Sequence, residues 1–252
     1  MISIKNSSEI VKMRESNRIV AVLLNKFKSL VKPGVSTWEL DEFAEKYIRS
    51  QGGAPAFKGY TVPGLNPFPG SICASVNSCI VHGIPSKKVI LKEGDIIGID
   101  IGVLKNGYYG DAAYTYKVGE VSEEISNLMS VTQESLMLAV KQAKTGNRVG
   151  DISFAIEEHV YNNGFHVADN LTGHGIGTKL HEDPSVPNFG QSGKGPRLRK
   201  GMTIAIEPMV NVGTNCVNEN GWEFYTKDNS VSAHYEHTIL ITDGDAEILS
   251  KP

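Results

Sequence analysis

Residues 91–118 read LKEGDIIGIDIGVLKNGYYGDAAYTYKV, and the reading of this stretch decides the fold. Ile96 to Val103 is a short apolar run and Tyr108 to Val118 is rich in tyrosine and β-branched residues. Asn106-Gly107 between them is the strongest short-range signal for a two-residue hairpin. With those two residues as the loop, position 105 faces 108, and Asp100 faces Ala113. Asp111 then lies two residues along the same face, a diagonal neighbour of Asp100 roughly 7–8 Å away, with side chains able to converge. A loop one residue longer would break this parity.

Working outward, two further carboxylates stand in apolar surroundings: Glu207 in MTIAIEPMV and Glu236 in HYEHTILIT, both read as strands. A carboxylate in such a place costs several kcal/mol to desolvate unless a cation or a hydrogen-bond network compensates. One is commonly a satisfied structural group. Four need a shared explanation, because anions held this close repel and raise a pKa unless positive charge lies between them. A metal ion is the economical answer. Imidazole is available as well. His174 lies in TGHGIG (172–177), a glycine-flanked loop, His181 follows in HEDP, and His82 lies in HGIP. His159, His166 and His237 lack such context and are read as structural.

The first segment, 6–30, reads as a helix capped by Asn6 with Glu9 three residues on, carrying the stripe Val20, Leu23, Leu24, Phe27 and Leu30. A second helix opens at Ser36-x-x-Glu39 and stops at Gly52-Gly53. Residues 54–75 read as loop, Val89–Leu91 as strand, and 122–144 and 151–163 as helices. The halves of the chain resemble each other. PGVSTWELDEFAEKYIRSQG (33–52) aligns without gaps with TGNRVGDISFAIEEHVYNNG (145–164), and LKEGDIIGID (91–100) aligns with LRKGMTIAIE (198–207). Two amphipathic helices can agree by chance. Agreement of helix and strand in one order, with Asp100 opposite Glu207, favours duplication. The expectation is therefore a single domain over 1–252, built as two αβ halves (roughly 1–118 and 119–252) about a pseudo-twofold axis, with a site at their seam.

Composition narrows the function classes. Lys+Arg number 25 against 28 Asp+Glu, for a net charge of −3, so no basic nucleic-acid footprint is expected. No apolar run approaches the roughly 18 residues of a membrane span. The start MISIKNSSEIVKMRE shows no signal peptide, and three cysteines (Cys73, Cys79, Cys216) without a CxxC fit a reducing cytoplasm.

At these residues the sequence resembles the bacterial type I methionine aminopeptidases. HGIP (82–85), IDIGV (99–103), GD (110–111), GHGIG (173–177), HEDPSVPNFG (181–190), IEPMV (206–210), NGW (220–222) and AHYEHT (233–238) follow that family's order and spacing over nearly the whole chain. The resemblance implies an α/β (α+β) pita-bread fold, a pseudo-twofold sandwich around a curved, mainly antiparallel sheet. It implies two divalent ions (Co, Mn, Fe or Zn), with Asp111 and Glu236 bridging, Asp100 on one, and His174 with Glu207 on the other. Glu207 would be the proton shuttle, and His82 and His181 would hydrogen-bond the substrate and its tetrahedral intermediate. Phe68, Cys73, Leu180 and Trp222 match the methionine pocket. Asn77, Cys79 (through its carbonyl) and Ser232 match a monovalent-cation site of some relatives.

The expected reaction is removal of the initiator methionine from nascent chains and peptides when the next residue is small, by a cytoplasmic monomer with the ribosome as a candidate partner. The sequence departs from the family at Ser78, Val81 and His234, and its segment 60–71 is longer than the usual loop. His234 is expected to share a strand face with Glu236, where it either tunes the site or is simply solvated. Three rivals remain: an aminopeptidase P or prolidase with the same ligands, a non-catalytic module of this fold, and a dimetal oxidoreductase. The last places its acids on helices rather than strands.

Overall fold

In the computed structural model, which describes residues 2–251, Asn6 opens the first helix, α1 (Ser7–Leu30). The Asn6 side chain accepts from the Ser8 and Glu9 amides while Glu9 accepts from the Asn6 amide. Ser36 and Glu39 repeat this box at α2 (Thr37–Ser50). Strands β1 (Ala54–Pro55), β2 (Cys73–Val76), β3 (Cys79–Val81), β4 (Ile96–Lys105) and β5 (Tyr108–Lys117) follow. β1 and most of β2 fall in the segment 54–75 that reads as loop, where the Gly and Pro content hides them. Of Val89–Leu91, expected as a strand, only Ile90 forms a bridge, to Ser36.

Next come α3 (Glu123–Gln142), α4 (Val149–Asn162), β6 (His166–Val167), β7 (Thr172–Gly175), β8 (Glu182–Pro187), β9 (Thr203–Ile206) and β10 (Met209–Asn211). The chain closes with β11 (Val217–Asn220), β12 (Glu223–Thr226), β13 (Ser232–His234), β14 (His237–Leu240) and β15 (Glu247–Ile248). The pairings among these strands are antiparallel. One sheet centres on β4, flanked by β2 and β5 with β1 alongside, and a second runs β15-β14-β9-β7-β8. Two three-stranded sheets, β13-β10-β6 and β11-β12-β3, complete the set.

Side chains from α1 and α2 (Leu23, Phe27, Leu40, Ile48) pack on Ile97, Ile99, Ile101 and Val103 of β4. Those of α3 and α4 (Leu136, Ile152, Ile156, Val160) pack with Ile204 and Ile239 of the five-stranded sheet. Each such side chain contributes roughly 1.5–3 kcal/mol by leaving water. Helices thus cover one side, and the sheets meet along a seam where β5 approaches β14. There the Glu236 amide donates to the Ala113 carbonyl at 2.9 Å and the Thr238 hydroxyl to the Asp111 carbonyl at 2.7 Å.

Glu207 and Glu236 are not inside strands as the sequence suggests. β9 pairs with β14, while β10 pairs with β13 in a different sheet. The chain therefore changes sheets twice at the same level, at Glu207-Pro208 and at Tyr235-Glu236. Pro208 cannot donate to a ladder, which ends β9 there. Both glutamates sit at the switch. None of the described helices is long and apolar enough to cross a membrane.

Candidate metal centre

The hairpin forms with the expected register. Asn106 and Gly107 are the loop, Asp100 faces Ala113, and Gly102 faces Asp111. Asp100 and Asp111 come into hydrogen-bonding contact through their carboxyl groups. Gly110 lets α1 close over this hairpin, since a side chain there would collide with the backbone of Asn17.

His174 is on a strand rather than in a loop, which corrects the sequence reading. It pairs with Ala205 of β9, while the register to β8 slips between Gly173 and Gly175 and leaves His174 without a partner on that side. Its glycine neighbours serve close approach. A side chain at 173 would run into the Ala205 carbonyl, and one at 175 into the Asp183 carbonyl. The strand is therefore squeezed between two others, and the imidazole is directed inward. His174 Nδ1 lies 2.8 Å from the Gly175 carbonyl oxygen. A carbonyl only accepts, so Nδ1 carries the hydrogen and the Nε2 lone pair is free.

Around that lone pair stand the acids. Nε2 lies 3.6 Å from Glu207 Oε1 and 3.9 Å from Asp111 Oδ2. Both are too long for hydrogen bonds. Two donors about 2.1 Å from one ion lie roughly 3.4 Å apart at a tetrahedral angle, so these separations suit a shared cation. Donor atoms of Asp111, His174 and Glu236 all fall within 4.8 Å of one another. Asp111 and Glu236 lie deepest, 3% and 2% exposed, while Asp100, His174 and Glu207 are half-buried at the cleft floor.

The electrostatics describe a site built for positive charge. Burial pushes the Asp100 carboxyl up to about 7. Burial first, then Glu236 and Asp100, pushes Asp111 well above the usual carboxylate range. Glu207 and Glu236 rise for the same reasons, burial before their acidic neighbours. Burial pushes His174 down to about 3, keeping it neutral and able to ligate. Asp100 Oδ1, Asp111 Oδ1 and Glu236 Oε1 are buried without a hydrogen-bond partner among the described residues. Buried polar atoms are almost always satisfied, and four acids with one imidazole fit divalent ions.

The other expected residues divide as follows. Phe68, Cys73, Leu180 and Trp222 line a cavity of about 250 Å³ together with the four acids and one histidine of the cluster, His82 and His181. That volume lies below the range of drug-sized ligand pockets and suits one side chain. Phe68 and Trp222 meet edge to face at 5.5 Å. His82 has φ +58, the left-handed region, which a non-glycine residue adopts at a cost of roughly 1–2 kcal/mol, and its ring meets Phe224 at 5.5 Å. Burial, with help from His181, pushes His82 down to about 4. His82, His181 and Glu207 also line an open groove of about 780 Å³ that continues outward over Thr172, Lys179 and Ser185.

Asn77 and Ser232 meet, the Ser232 amide donating to the Asn77 carbonyl at 2.9 Å, while the Asn77 side chain bonds Asp95 and the Ile96 amide. Cys79 pairs with Tyr225 across β3 and β12. His234 ends β13, so it and Glu236 do not share one strand face. It is buried rather than solvated, and its Nε2 lies 3.8 Å from Glu207 Oε2. Tyr60, Phe57 and Val62 also line the cavity and were not singled out by spacing. Only the unusual length of 60–71 points toward Tyr60 and Val62, and no sequence signal points toward Phe57.

Metallopeptidase family M24 matches residues 11–243. The chain is 49% identical over 253 residues to "Methionine aminopeptidase 1" of Bacillus subtilis, covering all of both proteins. It is 49% identical over 252 residues to "Methionine aminopeptidase" of Clostridium acetobutylicum, covering 99% of each. The crystal structure of a methionine aminopeptidase from Thermotoga maritima superposes with a TM-score of 0.96 at 46% identity, over all of both chains. Full-length agreement at this identity, on the pita-bread arrangement described above, places the chain in metallopeptidase family M24, among its bacterial type I methionine aminopeptidases.

Proposed function

We propose that this protein removes an N-terminal methionine from peptides and nascent chains whose second residue is small, as a metal-dependent aminopeptidase. The observation that carries the reading is the cluster of four acids, two of them fully buried, and one neutral imidazole opening directly into an aromatic-lined cavity the size of one side chain. Asp111 and Glu236, the deepest, would be shared by two divalent ions, with Asp100 holding one and His174 with Glu207 the other. The donor set suits Mn, Fe, Co or Zn. When bound, the ions supply Lewis acidity and lower the pKa of a shared water.

The chain's own residues do the rest. Phe68, Cys73, Leu180 and Trp222 take the methionine side chain, which sets the scissile carbonyl over the acids. Glu207 accepts a proton from the attacking water and returns it to the leaving amine. His82 and His181 donate to the oxygen that becomes negative in the tetrahedral intermediate. Beyond the cavity, the open groove accommodates the remainder of the peptide.

Several finer assignments rest on the same reading. Residues 1–252 form one domain of duplicated halves, and the protein acts as a cytoplasmic monomer near the ribosome. The three free cysteines agree with that compartment. A monovalent ion would be held at the Asn77–Ser232 contact by carbonyl oxygens, because the Asn77 side chain is engaged elsewhere.

The test is cleavage of Met-Ala-Ser against an Xaa-Pro series, with and without chelator. Chelator-sensitive release of methionine supports the proposal. Faster cleavage of Xaa-Pro peptides overturns the specificity, and turnover unchanged by both chelation and Glu207→Ala overturns the hydrolase reading.

A further inference from the structure

Tyr60 belongs to the long segment after α2, which folds back on itself. The Gly59 amide donates to the Phe68 carbonyl at 2.8 Å and the Phe68 amide to the Tyr60 carbonyl at 2.9 Å. The segment is tied to the far side of the cleft, since Trp222 Nε1 donates to the Asn66 carbonyl at 2.8 Å. Tyr60 is thereby held against two rings, Trp222 at 6.4 Å and His181 at 5.5 Å. Its hydroxyl lies 2.9 Å from His181 Nδ1.

We propose that Tyr60 is a positioning residue for His181, its hydroxyl donating to Nδ1 and so fixing the ring in the tautomer that carries its hydrogen on Nε2. A phenol is a stronger hydrogen-bond donor than a neutral imidazole N–H, and an imidazole nitrogen is a stronger acceptor than a phenolic oxygen. The direction O–H to Nδ1 therefore wins. In a neutral histidine one nitrogen donates and the other accepts, so occupying Nδ1 as acceptor makes Nε2 the donor. The geometry assigns opposite tautomers to two adjacent imidazoles. His174, 4.4 Å away, protonates Nδ1 and offers a lone pair. His181 protonates Nε2 and offers a hydrogen. A ligand and an oxyanion donor need those two opposite states. The inference rests on the role given to His181 above, and the 60–71 segment, supplied by the first half of the chain, completes a residue of the second.

The test is long-range 1H–15N spectroscopy of histidine-labelled, zinc-loaded protein at pH 8, with His181 assigned from its absence in His181→Asn. The parent should show His181 with Nε2 protonated and Nδ1 as the lone-pair nitrogen. Tyr60→Phe, which keeps the ring against Trp222, should shift Nδ1 toward the free-imidazole value. It should lower kcat on Met-Ala-Ser by about tenfold, less than outright loss of an oxyanion donor, with KM within about twofold. A parent with Nδ1 protonated, or His181 resonances unmoved by Tyr60→Phe, overturns the inference. A parent that cleaves no methionyl peptide overturns the proposed function instead, and the spectra still decide the tautomer.

Discussion

Replacing Asp100 with Asn should stabilise the metal-free protein and destabilise the metal-loaded one. In the absence of cations, burial raises the Asp100 carboxyl from 3.8 to about 7. A carboxyl raised in the folded state costs stability wherever the unfolded chain would have ionised it. The cost is absent below pH 3.8, grows as pH climbs, and levels off above about 7. At pH 7 it amounts to at most about 4 kcal/mol, from 1.36 kcal/mol per unit less the half-titrated remainder. Asn keeps the shape and can still accept from the protonated Asp111 through its amide oxygen, without bringing charge. For a chain of this length that corresponds to a rise in melting temperature of roughly 10 °C. With saturating Mn the sign reverses, because loss of a charged ligand that weakens ion binding by more than about a thousandfold removes over about 4 kcal/mol of ligand-derived stability. Calorimetry of parent and Asp100→Asn at pH 7, in chelator and in Mn, reads both signs. A variant that melts lower than the parent in chelator would refute the view that these acids are mutually destabilising without cations.

Gly175→Ala should cost about 1–3 kcal/mol in chemical denaturation, since the added methyl meets the fixed Asp183 carbonyl rather than a movable side chain. Phe68→Ala removes an aromatic wall of the 250 Å³ cavity, and kcat/KM for methionyl peptides should fall by roughly 10–200-fold with ion affinity unchanged by calorimetric titration. His82→Ala should lower kcat by roughly 10²–10³-fold while binding the same number of ions.

Much of this was legible in the sequence because local chemistry and long-range structure agree. Asn6, Glu9, Ser36 and Glu39 announce two helix starts through the hydrogen bonds they make. Asn106-Gly107 sets the register that brings Asp100 to Asp111. The strand context of Glu207 and Glu236 misled, because an apolar run continuing through a sheet switch looks the same as one strand. Only Pro208 marks the break, and Tyr235-Glu236 carries no marker at all. His174 looked like a loop residue because its glycines suggested flexibility, whereas they serve close packing between β8 and β9. The role of Tyr60 is not legible in the sequence because nothing local ties residue 60 to residue 181. Such a contact emerges only once the halves have docked.

The most direct measurement is anomalous scattering from crystals grown with Mn. The account predicts two strong peaks in the pocket floor, between Asp111 and Glu236, one also within ligand distance of Asp100 and the other of His174 and Glu207. Protein that takes up no ion at those carboxylates, or whose ions sit on separate surface sites, would contradict it.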